Sequence, residues 1–195
     1  MSRRFATPTQ GAAWDHRAVG GVQEMRTNRL RLTRPVARDS AGVFAILGDP
    51  RTVEHNPSDQ LEDLDEATEL VARWVHHWDE HGFGYWCVRT SGSDHIIGYA
   101  GVKRMLIHGR PVLNLIYRFV PEVWGQGFAT EAAAAVVSRC LDEMPGERIV
   151  ARVRPDNQSS QSVALKAGLQ RDASMDCQGE DGLDLAFTSQ CTDPP

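Results

Sequence analysis

The sequence predicts an α/β (α+β) fold in which helices pack on a mixed β-sheet. Three observations predict it. Period-two strands recur along the chain, helices with apolar residues three and four apart fall between them, and Gly- and Pro-containing turns mark the joints. With 195 residues, 41% of them hydrophobic and 24% charged, the chain suffices for one globular domain with a complete core.

Residues 1–24 mix Gly, Ala, Thr, Pro, Gln and Arg without periodicity and are expected to be a flexible tail. The domain is expected over 25–190, followed by a short tail at 191–195. Leu30 and Leu32 alternate with Arg29, Arg31 and Thr33, the pattern of a half-buried strand. Asp39 is the expected cap of a short helix through Leu47, stopped by Gly48-Asp49-Pro50. Residues 66–81 form an amphipathic helix behind a capping Asp65, burying Ala67, Leu70, Val71, Trp74, Val75 and Trp78. Tyr85–Thr90 and His95–Arg104 read as strands joined by Ser91-Gly92-Ser93-Asp94, and His108-Gly109-Arg110-Pro111 turns into a strand over Val112–Val120.

An alanine-rich helix spans Phe128–Glu143 with Ala129, Ala132, Ala133, Val136, Val137, Cys140 and Leu141 as its buried stripe. Arg148–Arg154 is a strand that turns Ile149, Ala151 and Val153 inward and leaves Arg152 and Arg154 outward and solvated. Ser159–Ala167 is a short helix closed by Gly168, and the domain ends in strands near Leu169–Cys177 and Leu183–Ser189.

The longest apolar run, Ala132 to Val137, is far shorter than the roughly 20 residues of a membrane span. No signal-peptide pattern opens the chain, so a cytoplasmic protein away from membranes is expected. Cys87, Cys140, Cys177 and Cys191 lie far apart and read as reduced thiols. His77 and His81 stand four apart on a helix, but no third residue has fitting spacing, so no metal is expected.

The net charge of −5 argues against a nucleic-acid partner. Its distribution is more informative. Residues 1–38 carry eight Arg against Asp15 and Glu24, or +6, whereas residues 39–81 carry eleven acids against Arg51 and Arg73, or −9. The remainder is −2. Such an acidic block is either a solvated helix face or one wall of a cleft for a cationic ligand.

The stretch Pro121-Glu122-Val123-Trp124-Gly125-Gln126-Gly127-Phe128-Ala129-Thr130-Glu131 joins a strand to the long helix. Gly125 and Gly127 permit a tight turn and close backbone approach, and the first free amides of the helix favour an anion there. A P-loop would need Lys-Ser/Thr after the second glycine, which is absent. A dinucleotide fingerprint would need Gly or Ala where Thr130 stands.

The segment resembles the pyrophosphate motif Gln/Arg-x-x-Gly-x-Gly/Ala of the GNAT N-acetyltransferase superfamily, with Gly127 and Ala129 in its last two positions. Trp124 stands where Gln or Arg is usual, but Trp-Gly-x-Gly-Phe-Ala-Thr-Glu-Ala and the preceding Tyr117-x-Phe-x-Pro121 resemble the ribosomal-protein (RimJ/RimL-type) branch. Asn157-Gln158-Ser159-Ser160 and Lys166-Ala167-Gly168-Leu169 resemble the family's Asn-x-x-Ser and Lys-x-Gly-Phe segments, in the right order.

The resemblance covers roughly residues 26–190 and implies a mostly antiparallel sheet with one splayed strand pair and helices on both faces. It implies acetyl-CoA as acetyl donor, pantetheine on the backbone of Phe119 and Val120, and pyrophosphate on the loop of Trp124, Gly125, Gln126, Gly127, Phe128, Ala129 and Thr130. Asn157 would reach the acetyl or pantetheine end, and a backbone N–H near Val120 would polarise the carbonyl. Ala164 occupies the place of the family's usual Tyr acid, so Ser160 is the expected donor to the departing sulfur. Asn157 and Ser160 also suit an ordinary helix cap. Asn114 stands where a basic Glu is usual, and Glu131 serves either as a base or as a partner of the helix dipole.

The expected acceptor is a small-molecule or peptide amine, cationic if the acidic block borders it: a protein N-terminus, a polyamine or an aminoglycoside-like amine. A homodimer is compatible with the sequence. The alternative is a catalytically silent CoA-binding or regulatory module.

Overall fold

The computed structural model describes residues 23–190, so the 191–195 tail and all but the last two residues of the 1–24 tail lie outside the described residues. The first strand already includes Glu24. The elements are β1 (Glu24–Arg26), β2 (Leu30–Thr33), α1 (Ser40–Leu47), α2 (Leu64–His81), β3 (Tyr85–Thr90), β4 (Ile96–Ile107), β5 (Arg110–Phe119) and α3 (Phe128–Glu143). β6 (Ile149–Val153), α4 (Gln158–Lys166), β7 (Gln170–Arg171), β8 (Cys177–Gly179) and β9 (Gly182–Thr188) follow.

The strands form one sheet in the order β1-β2-β3-β4-β5-β6-β9-β7, with β8 added to β9. Every pair is antiparallel except β5 and β6. The β4–β5 hairpin is tight because His108 and Gly109 both take the left-handed conformation that matches strand twist (φ 50° and 74°).

Each face of the sheet carries two helices. On one, Leu113, Leu115, Ile149 and Ala151 are buried with Ala132, Ala133, Val136 and Val137 of α3 and Ala164 of α4. Alanine makes this helix a good helix former and lets it lie close to the strands. On the other, Tyr85, Cys87 and Tyr99 pack with Val43, Ile46 and Leu47 of α1 and Val71 and Trp74 of α2. Each large apolar side chain so buried contributes about 1.5–3 kcal/mol. Trp74 and Trp78 are core residues, as their spacing predicts, and the Trp78 indole donates to the Tyr85 carbonyl at 2.8 Å.

Four local expectations need correction. Asp63, not Asp65, caps α2: its backbone is extended and its carboxylate accepts from the Glu66 amide at 2.9 Å. Asp39 does not cap α1 by its side chain, because Arg89 (2.6 Å) and the Val36 amide (3.0 Å) occupy the carboxylate. The strand expected over Leu169–Cys177 is interrupted by a 3-10 turn at Ala173–Met175, where Asp172 accepts from the Ser174 amide. Arg152 and Arg154 are not simply solvated. They meet Asp184 of β9 at 3.3 and 3.6 Å, because β6 is an interior strand.

Candidate active site

The site grows from the single parallel junction of the sheet. β5 and β6 pair only at Leu113–Ile149, Asn114–Val150 and Leu115–Ala151. Beyond these residues β5 runs on to Phe119 and β6 to Val153 without further register, so the two strands part. Strand alternation decides which peptide groups face the opening. The Val120 amide donates to the Ile97 carbonyl on the β4 side (2.9 Å), and its carbonyl accepts from the Val123 amide (3.2 Å). Val120 is therefore spent, contrary to the expectation that its backbone serves the cofactor or the acetyl carbonyl. The peptide groups of Tyr117 and Phe119 face the gap instead.

The gap leads to the glycine loop. A 3-10 turn at Pro121–Val123 ends β5, and Trp124, half exposed, donates its indole N–H to the Phe119 carbonyl at 2.8 Å. Gly125 and Gly127 both adopt left-handed conformations (φ 74° and 78°). Gly127 is the N-cap of α3, and no side chain caps the helix. The amides of Phe128, Ala129 and Thr130 thus open the helix without a side-chain acceptor, which suits a phosphate.

This loop is clamped from the other end of the sequence. Glu131 accepts from the Thr27 hydroxyl (2.6 Å), the Arg29 amide (2.9 Å) and Arg29 Nε (2.6 Å). Arg29 also donates to the Gln126 carbonyl at 2.9 Å and lies over the Phe128 ring. Burial raises the Glu131 pKa, but the bonds from Thr27 and Arg29 outweigh it and hold the carboxyl below its ordinary value. Of the two roles open to Glu131, the geometry fits the structural one. Arg29 is missing from the sequence-predicted site because its contacts lie about a hundred residues away.

At the far end of the gap, Asn157 caps α4 by accepting from the Ser160 amide at 2.9 Å. The Ser160 hydroxyl donates to Tyr117 Oη at 3.1 Å, and Tyr117 Oη donates to the Ser160 carbonyl at 2.7 Å. Burial pushes the Tyr117 phenol up to about 12, so it remains a proton donor near neutrality. Tyr117 thus brings a phenol to a place where Ala164 supplies none. The Tyr117-x-Phe-x-Pro121 pattern was the available signal for it.

Residues 29–170 match the family described as the acetyltransferase (GNAT) domain. The chain belongs to the GNAT family of acetyltransferases. Such enzymes are acetyl-CoA-dependent N-acetyltransferases. The uncharacterized N-acetyltransferase YoaA of Bacillus subtilis (strain 168) is 25% identical over 148 residues, 76% of this chain and 83% of that protein. A putative GnaT-family acetyltransferase from Bordetella pertussis has the same fold, with a TM-score of 0.73 at 19% identity, covering 87% of this chain and all of that one. The ribosomal L7/L12 alpha-N-protein acetyltransferase RimL, solved with coenzyme A, superposes with a TM-score of 0.69 at 14% identity over 86% of this chain and 96% of its own.

On the opposite face of this acetyltransferase, the segment between α1 and α2 arches over the parted strands. His55 Nδ1 meets Asp156 at 3.3 Å, and the Ser58 hydroxyl donates to Asp181 at 2.6 Å. Asn114 is buried on the sheet below, and its Oδ1 accepts weakly from Arg152 Nε at 3.4 Å. An amide in this position takes no proton. Part of the acidic block is paired within the protein, three of its acids with arginines from outside it. Asp39 is spent on Arg89, Asp49 on Arg51, Asp59 on Arg118 and Asp79 on Arg34, and Asp63 caps a helix. Its −9 does not translate into a row of free carboxylates. Among the described residues no group of three His, Cys, Asp or Glu side chains suits a metal, and no helix is long and apolar enough to cross a membrane.

Proposed function

We propose that the protein moves the acetyl group of acetyl-CoA directly to a primary amine within a ternary complex. The observation that carries this reading is that three features stand on the elements flanking the β5–β6 junction. These are the uncapped amides of α3, the parted strands β5 and β6, and the Tyr117–Ser160 hydroxyl pair. The amides from Gly125 to Thr130 hold the pyrophosphate, and pantetheine lies in the gap against the Tyr117 peptide group and the Phe119 amide N–H. Trp124 fixes the mouth of the gap through the Phe119 carbonyl.

The amine enters from the α1–α2 face, loses its proton to solvent and attacks the thioester carbonyl. The C–N bond forms and its nitrogen gives its second proton to solvent. The C–S bond breaks, and the departing thiolate takes a proton from Ser160, whose hydroxyl turns from Tyr117 Oη to the sulfur and is reprotonated from solvent. Asn157, its Oδ1 committed to the helix cap, offers its amide N–H groups to the acetyl end. The Trp-Gly-x-Gly-Phe-Ala-Thr-Glu-Ala sequence and structural neighbours such as RimL support a place near the ribosomal-protein branch, and with it a cytoplasmic protein.

The test is calorimetric titration with CoA, followed by release of free CoA from acetyl-CoA in the presence of amines. Binding at one site per chain with amine-dependent release is the expected result. Failure to bind CoA refutes the reading, and binding without transfer to any amine reduces the protein to a CoA-binding module.

A further inference from the structure

We propose that the acceptor carries a carboxylate or phosphate beside its reacting amine, bound by Lys103, Arg118 and Arg152 together with the hydroxyls of Tyr85 and Tyr99. The inference rests on the amine-transfer reading above and specifies the substrate class for it.

Register places these residues on one face. Tyr99 pairs with Arg118, Lys103 with Asn114, and Asn114 with Val150, two residues before Arg152. Tyr85 pairs with Gly101, two residues before Lys103. This is the face beneath the α1–α2 arch, where β5 and β6 part.

Four groups there have hydrogen-bonding capacity to spare. Arg118 gives one end of its guanidinium to Asp59 at 2.7 Å, while its other terminal nitrogen is buried without a partner. The hydroxyls of Tyr85 and Tyr99 make no hydrogen bond among the described residues, and their rings stand 6.0 Å apart. Burial raises both phenols, Tyr99 to about 12, so both remain O–H donors. Lys103 lies with its ammonium 4.6 Å from the centre of the Tyr85 ring and has no carboxylate partner among the described residues.

The charge balance points the same way. Lys103, Arg118, Arg152 and Arg154 face the carboxylates of Asp59 and Asp184, with Asp181, held by Ser58 of the arch, near enough to act on Asp184, so four cations meet three carboxylates. Burial, and then repulsion from Arg73, lowers the Lys103 pKa to about 8, and an anion at the ammonium would offset that burial. A half-buried site with one cation lacking a carboxylate, a guanidinium nitrogen without an acceptor and uncommitted phenols is stabilised by an incoming anion. A polyamine would meet a site in which cations outnumber carboxylates.

The test uses the full protein with its CoA site saturated by CoA and measures ligand binding by calorimetry. Two pairs are compared, O-phosphoethanolamine with ethanolamine and L-phenylalanine with 2-phenylethylamine, each pair differing by one anionic group. The anionic member of at least one pair is expected to bind at least tenfold more tightly. Which pair responds separates phosphate from carboxylate. Lys103→Gln and Arg152→Gln should each reduce that preference at least threefold, while CoA itself binds both variants as it binds the parent. No preference in either pair, including no binding by any member, overturns the proposal, and so does a preference that survives both substitutions. Failure of the parent protein to bind CoA would instead strike at the transfer reading.

Discussion

Glu131→Gln separates a carboxylate that anchors the glycine loop from one that takes part in proton transfer. The wild-type side chain, 18% exposed, accepts three hydrogen bonds from Thr27 and Arg29. Glutamine keeps one acceptor oxygen, but turns an NH2 group toward a donor. The substitution therefore removes the charge-assisted bond to Arg29 and leaves the neutral ones weakened. Because Arg29 is half exposed, the loss is about 1–2 kcal/mol rather than that of a buried pair. For a domain of this size the melting temperature should fall by about 2–8 °C. Arg29 also holds the Gln126 carbonyl, so a freed guanidinium loosens the loop, and each ~1 kcal/mol of lost order weakens CoA binding about fivefold. Steady-state kinetics should show a higher KM for acetyl-CoA with kcat nearly unchanged. A fall in kcat of about a hundredfold or more, with KM unchanged, would refute the anchoring role and assign Glu131 to proton transfer.

Three further outcomes follow from the same geometry. Tyr117→Phe and Ser160→Ala should each lower kcat by about ten- to a hundredfold, and the double variant should be little worse than the poorer single one because the hydroxyls act as a unit. Wild-type turnover in both single variants would remove the pair from the mechanism. His77 is held down to about 3 by burial and then by neighbouring positive charge from Lys103, His81 and Arg104. Its unfolded form takes up a proton near 6.5, so stability falls as pH drops below that value. Urea midpoints of His77→Met should be flatter than wild type between about pH 6 and pH 4.5. Glu131 has linkage of the same sign over a lower pH range. Its stabilisation is present above the ordinary carboxylate pKa of 4.5 and is lost as pH falls through the lower folded value, so Glu131→Gln should show a smaller stability loss on acidification below about pH 4.

What could be read from the sequence depended on how local the cause was. The bounds of α3 are visible because Gly127 caps it and its apolar residues keep helical spacing, although the stripe is buried only as far as Cys140 and Leu141, expected inside, is exposed in the last turn. The β3 strand is legible from the turn that follows it, and the burial of Ile149, Ala151 and Val153 from alternation, although both strands are covered on both faces, so Val150 and the first five residues of β3 are buried too. The glycine loop is legible for the same reason. What escaped depends on partners distant in the chain. Asp39 suits a cap until Arg89, fifty residues later, takes its carboxylate. Arg152 and Arg154 belong to a rim of solvated charges until β9 covers that side with Asp184. Val120 and Tyr117 differ only in which way their peptide groups point, and that is fixed by the β4 register. Adding charges along the chain could not show that Arg89, Arg118 and Arg34 come from outside the acidic block to meet Asp39, Asp59 and Asp79.

The short junction of β5 and β6 also has a mechanical meaning. One side of it carries β1 to β5 and the other β6 to β9, and only three register pairs join these two parts across the sheet. The molecule is thus creased along its own middle. A ligand lying in the crease would act as a rivet, adding rigidity where the protein has least of its own. Amides on both banks, in Tyr117–Phe119 and Arg152–Val153, should then exchange together and slow together when CoA is added.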